Sequence, residues 1–347
     1  MNGKYKPAGQ VLVVMVVGLV LAAFLNVDSL VAQAERKPFG WSRDFSLAVW
    51  KPVQTVSGFF RINAPRSALD EATGRADSYK STDFTFPEPD DTTTSTTTGG
   101  TEGGETEEPE APDETTTTTE AIPELRTPTA GEPLRLWVGG DSMSQVFGQS
   151  LVSFVEQTGV ITSTLDYRIS TGLTRPDYFN WPAHLDTEME RLDPEAVVIM
   201  FGANDAQGME ADGQVFERLS DGWKDHYRRR VAGTMDLLKA PGRIVYWVGQ
   251  PIMRDSAFSG RMAQLNEIYS SEAATRPWVK FIDSYSMFAN ESGNYEAYLT
   301  GLDGSVHDMR QGDGIHLSRP GGDLLARHVL DLIEADANIV DRTSDDT

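Results

Sequence analysis

The sequence predicts an α/β domain built on a five-stranded parallel sheet, preceded by an apolar N-terminal segment and a solvated spacer. Three observations carry that prediction. Short apolar runs bounded by glycine and turn residues alternate five times with helix-period stretches between Leu134 and Ala335. Several of these runs are apolar throughout, as a strand buried on both faces must be. The intervals between them are long enough for the crossover helix that parallel neighbours require.

The N-terminus comes first. Lys4 and Lys6 precede an uncharged stretch from Pro7 to Val27, apolar throughout its centre, Val11 to Leu25. About twenty helical residues at 1.5 Å each span roughly 30 Å, the thickness of a bilayer core. Residues 1–30 are therefore expected to form a single-pass membrane anchor. The lysines orient its N-terminus inside and the rest of the chain outside the cytoplasm. The alternative is a signal segment cleaved near Ala32-Gln33-Ala34, leaving a secreted protein.

Residues 31–80 follow as a juxtamembrane region. Trp41, Phe45, Ala48, Pro52, Val56 and Phe59 recur at helical spacing, with Arg43, Lys51 and Arg61 interspersed. The pattern fits an amphipathic element on the membrane surface, or a helical pair packed on itself. Pro52 suits a helix start better than a helix middle. Residues 81–130 then turn to Thr, Glu, Pro and Gly, with threonine runs at 92–94, 96–98 and 115–119. Such a segment buries too little apolar area to offset an ordering entropy of about 1–2 kcal/mol per residue. It is expected to be a disordered linker, with threonines suited to O-glycosylation.

Periodicity returns in the domain expected over residues 131–337. Leu134–Val138 is a strand ended by Gly139-Gly140, and Val146, Phe147, Leu151, Phe154 and Val155 mark a helix. Leu165–Ile169 is the second strand, a helix runs from about Ala183 to Leu192, and Ala196–Phe201 is the third strand. A helix over Gly222–Leu238 precedes the strand Ile244–Val248, and one over Gly260–Ala274 precedes Val279–Asp283. The last helix, about Asp323–Ala335, is introduced by the turn residues Arg319-Pro320-Gly321-Gly322. Residues 338–347 read as a disordered tail.

Composition narrows function. The 347 residues carry a net charge of −22, roughly half of it in the linker. No basic stripe offsets that charge, which argues against a nucleic-acid partner. The chain has no cysteine, which excludes thiol catalysis, disulfides and thiolate metal sites.

In a parallel sheet, ligands bind at the carboxyl ends of the strands, and the chemistry-bearing residues fall there. Ser142, in Gly139-Gly140-Asp141-Ser142, follows the first strand at once. A serine nucleophile needs an exposed hydroxyl on a rigid support, beside helix N–H groups that can face an oxyanion. A serine at this place also suits a helix cap. Gly202-Ala203-Asn204-Asp205 follows the third strand, where Asn204 can donate a side-chain N–H or simply build a turn. Gly172 follows the second strand. Asp313-Gly314-Ile315-His316 precedes the last helix, with an acid spaced to hold an imidazole base in one tautomer. Tyr178, Phe179 and Trp181 either line a sugar-binding wall or pack as a lid on the sheet.

Taken together, Gly139-Gly140-Asp141-Ser142, Gly172, Gly202-x-Asn204-Asp205 and Asp313-x-x-His316 resemble the SGNH or GDSL-type hydrolases, in the family's order, over residues 132–337. The resemblance, which does not cover the anchor or the linker, implies a flavodoxin-like three-layer α/β/α sandwich; the N-terminal segment would make the chain a membrane-anchored, extracytoplasmic bacterial member of the family. It implies Ser142 as nucleophile, His316 as base and Asp313 as its orienting acid. The backbone N–H groups of Ser142 and Gly172, with the Asn204 amide, would form the oxyanion hole. It implies no cofactor and no metal. Met143 departs from the pattern, standing where small or polar residues are common, which bears on substrate shape.

The expected activity is that of a serine esterase removing acyl groups, acetyl above all, from cell-envelope carbohydrate. An O-acyltransferase using the same triad and a non-catalytic envelope module binding glycan or a partner are the alternatives. A complete triad argues against the second.

Overall fold

The computed structural model describes residues 8–35, 37, 41–59 and 123–339. The expected linker over residues 81–122 and the tail from residue 340 lie outside the described residues. Five parallel strands form one sheet: β1 (Leu134–Gly140), β2 (Ile161–Tyr167), β3 (Ala196–Met200), β6 (Ile244–Val248) and β7 (Val279–Ile282). Their spatial order is β2-β1-β3-β6-β7, the flavodoxin-like doubly wound arrangement. β3 and β6 are buried at every residue, which is why they read as unbroken apolar runs.

Helices α4 (Met143–Thr158) and α9 (Arg319–Asp336) pack together on one face. The other face carries α5 (Trp181–Leu192), α6 (Asp221–Leu237) and α7 (Ser256–Ala273), with the short α8 (Ser284–Met287) after β7. Two hairpins are inserted: β4 (Met209–Ala211) with β5 (Gln214–Phe216), and β8 (Tyr298–Thr300) with β9 (Val306–Asp308). The first turns on Asp212-Gly213, both at positive φ, as a two-residue hairpin loop requires.

Three elements differ from the sequence reading. β2 begins at Ile161, not Leu165, because it is an edge strand: only Ile161 is buried, so its polar Ile-Thr-Ser-Thr start lacks an apolar run. Helix α9 begins at Arg319, so Arg319-Pro320-Gly321-Gly322 is its first turn and not a preceding loop. Ser318 accepts from the Gly321 N–H, and proline suits the first helical turn. The glycines are there for contact, since a side chain at Gly321 would strike the Met309 carbonyl and one at Gly322 would strike Val146 of α4.

The third difference is at the domain's start. Leu125 is 4% exposed and belongs to the core, and Arg126 pairs with Glu195 at 2.5 Å. The folded domain is thus joined before residue 131. A single leucine among Pro, Thr and Glu carries no periodicity that could reveal this.

Near the N-terminus stand α1 (Ala8–Leu25), α2 (Val27–Glu35) and α3 (Trp41–Phe59). Among the described residues no helix is long and apolar enough to cross a membrane, so the expected spanning helix is not shown. The side chains of α1 from Val11 to Val17 are nonetheless about half exposed or more. α3 packs along α2, with Gln54 donating to Asp28 at 2.9 Å, and meets the end of α1, where Ser57 donates to the Phe24 carbonyl at 3.0 Å. Residues 41–59 are thus one helix packed on its neighbours and not a pair packed on itself, while Trp41, Phe45, Val56 and Phe59 stay exposed. Pro52 lies inside α3, not at its start; a proline's φ is helical, and packing on α2 offsets the lost bond.

The position of Leu125 generates a contrast between two deletions. Removing residues 81–121 should leave the melting temperature within a degree or two of the full chain. Removing residues 81–128 also takes Leu125, worth about 1.5–3 kcal/mol of burial, and strips Glu195 of Arg126. Scanning calorimetry should then record a fall of about 5 °C or more.

Candidate active site

The chain leaves β1 through Gly140, whose φ of 141° lies in a region that favours glycine. A Cβ here would collide with the Met200 carbonyl and the Ser144 hydroxyl. The glycine therefore serves the close approach of β3 and α4 rather than access for a substrate. Asp141 follows with no exposed surface. One carboxylate oxygen accepts the Met143 N–H at 2.9 Å, and the other accepts the Gly202 and Ala203 N–H groups, each at 3.1 Å. Block by block, this carboxylate ties the end of β1 to the end of β3.

Ser142 stands at the N-cap position of α4 with φ −62°, ψ −20°, and makes no side-chain capping bond. Its hydroxyl instead meets His316 Nε2 at 2.9 Å. His316 Nδ1 lies 2.7 Å from Asp313 Oδ2. The other oxygen of Asp313 accepts the Ile315 and His316 N–H groups at 2.8 and 3.0 Å. Partial burial alone would raise the Asp313 carboxyl; the His316 ring and the two N–H donors outweigh it and hold it below its usual range. The acid therefore stays ionised, able to hold a proton on Nδ1 and leave Nε2 free to accept one.

The loop carrying the pair is braced by Arg310, 2% exposed, which donates to the carbonyls of Ile315 at 2.7 Å and Ile252 at 2.5 Å. Its guanidinium lies 5.0 Å from the Phe288 ring centroid. Burial without an acidic partner at hydrogen-bond distance lowers its pKa to about 10.

The Asn204 side chain donates to the Thr171 carbonyl at 3.1 Å, beside Gly172. The N–H groups of Ser142 and Gly172 donate to no protein acceptor among the described residues. Asp205, wholly buried, receives the Leu173 N–H at 3.0 Å and the Thr174 N–H at 2.8 Å. A side chain on Gly172 would run into that carboxylate. All five residues singled out from the sequence therefore lie at the carboxyl ends of β1, β2 and β3 and on the loop before α9. Ser142, His316 and Asp313 are in direct contact; Gly172 and Asn204 meet through the Thr171–Gly172 turn.

Met143 is 2% exposed and turned into the core, so its departure from the family pattern does not shape the crevice. Trp181 is buried, donates to the Thr171 hydroxyl at 2.9 Å and packs edge-on to Phe179. It is a packed aromatic and not a sugar wall. The sequence reading treated Asp141 and Asp205 as motif and turn residues and missed what they do. An acid directly after an apolar strand is the signal that such a carboxylate is placed to collect backbone N–H groups.

Residues 135–332 match the family described as "Protein of unknown function (DUF459)", which is more than half of the chain, and the chain belongs to that family. No curated protein matches it. Among solved structures it is similar to a GDSL-like lipase from Bacteroides thetaiotaomicron, at 15% identity and TM-score 0.41 over 61% of this chain and 92% of that one. A second is the periplasmic domain of a lipopolysaccharide acetyltransferase from Salmonella ser. Paratyphi A, at 15% identity and TM-score 0.43, covering 58% and 84%. A third is a catalytic mutant of an acetylxylan esterase from Geobacillus stearothermophilus, at 18% identity and TM-score 0.39, covering 58% and 94%. Likeness at this level says nothing of activity. The resemblance to the SGNH and GDSL-type hydrolases stands, with its four sequence blocks gathered at one crevice of a five-stranded parallel sheet.

Burial pushes the Asp141 carboxyl up from 3.8 to about 7, against the N–H bonds that hold it down. The folded state thus binds this proton more tightly than the unfolded chain. As pH rises from about 4 to about 7, the unfolded chain releases a proton that the fold retains, and stability falls; above 7 the loss is complete. At about 1.4 kcal/mol per pKa unit the loss is a few kcal/mol. Melting curves across pH 4–8 should carry this slope in the native chain. In Asp141→Asn the slope should be missing, on a lower baseline, because the amide N–H₂ would face N–H donors.

Proposed function

We propose that this chain is a serine esterase that removes acyl groups, acetyl above all, from carbohydrate of the cell envelope. The observation that carries the reading is the continuous hydrogen-bonded line Ser142 Oγ–His316 Nε2 and His316 Nδ1–Asp313 Oδ2, at 2.9 and 2.7 Å. In this reading Ser142 Oγ attacks the ester carbonyl and passes its proton to His316 Nε2. The tetrahedral oxyanion is received by the Ser142 and Gly172 N–H groups and the Asn204 amide. His316 returns the proton to the departing sugar hydroxyl, leaving an acyl-Ser142. A water then repeats the sequence and releases the acid.

Carbohydrate is favoured because the site is open. The side chains of His316 and Asp313 remain 32% and 42% exposed, so an acylated polymer can lie across them. An exposed cation borders the site: Arg254 lies against the Asp313 loop, bonded to the Gly312 carbonyl at 2.7 Å. The envelope follows from the N-terminus. Apolar side chains exposed along α1 and the aromatic stripe of α3 suit a membrane and its surface, with the hydrolase outside the cytoplasm.

The triad test is kinetic. Ser142→Ala should lower hydrolysis of acetyl esters by several orders of magnitude, His316→Ala about as far, and the double variant little further, because such residues act as a unit. A fluorophosphonate should label the native chain and not Ser142→Ala. Additive losses would contradict the shared role, and a native chain neither labelled nor active on any acyl ester would leave a binding module. Adding acceptor sugar separates hydrolysis from transfer: acetate release that persists supports the esterase, and diversion of acetyl to the sugar supports the O-acyltransferase.

Location is tested by fractionation. The full-length protein should pellet with membranes, resist high salt and dissolve in detergent. Protease added to intact spheroplasts should free a soluble fragment that starts near residue 123. A soluble mature chain beginning at Glu35 would mean a cleaved signal, and a protected fragment would put Ser142 in the cytoplasm.

A further inference from the structure

Asn204 and Gly172 come from different loops, yet as oxyanion donors they must aim at one point to within a few tenths of an ångström. The Asn204–Thr171 bond and the Asp205 carboxylate tie the two loops to each other, and α6 adds a restraint from outside them. Tyr227 gives its hydroxyl proton to Asp205 Oδ2 at 2.8 Å, and the same oxygen receives the Leu173 N–H. The other oxygen receives the Thr174 N–H and the Thr174 hydroxyl, at 2.8 and 2.9 Å. One turn further along α6, Arg230 Nη1 donates to the Leu173 carbonyl at 2.8 Å, while Nη2 donates to the Glu210 carbonyl at 2.7 Å. Leu173, the residue after Gly172, is therefore held on both sides, its N–H through Asp205 and its carbonyl through Arg230.

The grip is itself braced. The Tyr227 ring stacks on Trp223 with centroids 4.6 Å apart, and its hydroxyl lies 2.7 Å from that of Tyr269. Burial and the neighbouring Asp205 drive both phenols well above the ordinary tyrosine range, so Tyr227 keeps the proton it shares. An asparagine could not replace Asp205, because its amide N–H₂ would have to face either the Leu173 or the Thr174 N–H.

We propose that the face of α6 bearing Tyr227 and Arg230 is the positioning element of the oxyanion hole, acting on Gly172 through Asp205 and the Leu173 carbonyl. The proposal rests on the hydrolase reading given above. Neither side chain touches substrate in it. Both hold Leu173, the residue directly after Gly172, and a turn of the chain there would swing the Gly172 N–H off its aim while leaving the sheet intact. Loss of one such donor costs about 10²–10³ in turnover, and a misaimed donor should cost part of that.

The test uses the full chain with Tyr227→Phe, Arg230→Met and Arg230→Lys. Tyr227→Phe and Arg230→Met should each lower kcat about 10- to 100-fold with KM within about twofold, and should slow fluorophosphonate labelling of Ser142 in the same proportion. The melting temperature and the acid limb of the pH profile, which follows the Ser142–His316 pair, should stay near those of the native chain. Arg230→Lys should recover part of the loss, and Tyr227→Phe with Arg230→Met should lose little more than the worse single variant. Should Tyr227→Phe not fold, the half-buried Arg230 carries the test by itself. Folded variants with native kcat, losses confined to KM, or losses that track the melting temperature would overturn the proposal alone. A native chain that neither turns over nor takes the label would overturn it together with the hydrolase reading.

Discussion

The carboxylate of Asp141 has no surface in solvent and accepts three backbone N–H groups from two strand ends. A buried carboxyl of this kind is tolerable only when its hydrogen bonds are met, and met with good geometry. That demand fixes how β1 and β3 end relative to each other at the point where the chain's winding reverses. Gly140 must admit the Met200 carbonyl, Ser142 must then open α4, and Ala203-Asn204 must turn back over the crevice. Asp205 repeats the device one loop further on, collecting the segment that follows β2. Two carboxylates thus link three strand ends into one rigid rim, and the donors of the site are the backbone groups left over.

His316 and Asp313 are supplied from elsewhere and by other means. Their loop is held by a cation, Arg310, spending its donors on carbonyls of Ile315 and Ile252 instead of on an acid. Asp313 consequently keeps one oxygen for the His316 ring, while the other accepts the Ile315 and His316 N–H groups. The helix that follows packs on α4 through Gly322, so the helix after Ser142 and the helix after His316 share an interface without an intervening side chain at that position. The 2.9 Å contact between Ser142 and His316 is in that sense a product of helix packing.

Much of this was legible in the sequence because the physics that builds a buried parallel strand leaves an unmistakable apolar run. β1, β3 and β6 were readable for that reason, and with them the places where site residues had to stand; β7, at the far edge, kept enough apolar residues around Lys280 to be read as well. β2 was misplaced by four residues because an edge strand buries one face at most. The start of α9 was hidden because Pro320-Gly321-Gly322 has turn composition, yet helix-on-loop contact selected those glycines. Ser142, Gly172, Asn204, Asp313 and His316 were found through residue type and order. Asp205, Tyr227 and Arg230 were not seen as a unit, since a tyrosine and an arginine on a polar helix look like solvent-facing residues until the loop they hold is in place.

Ser142 and His316 are 174 residues apart in the chain. During synthesis Ser142, its strand and both carboxylate-held turns emerge long before His316 does. Until α9 has docked on α4, the Ser142 hydroxyl has no imidazole beside it. A premature stop between the last sheet strand and His316 would leave it so, and the pairing of the two side chains reports that the last loop has arrived.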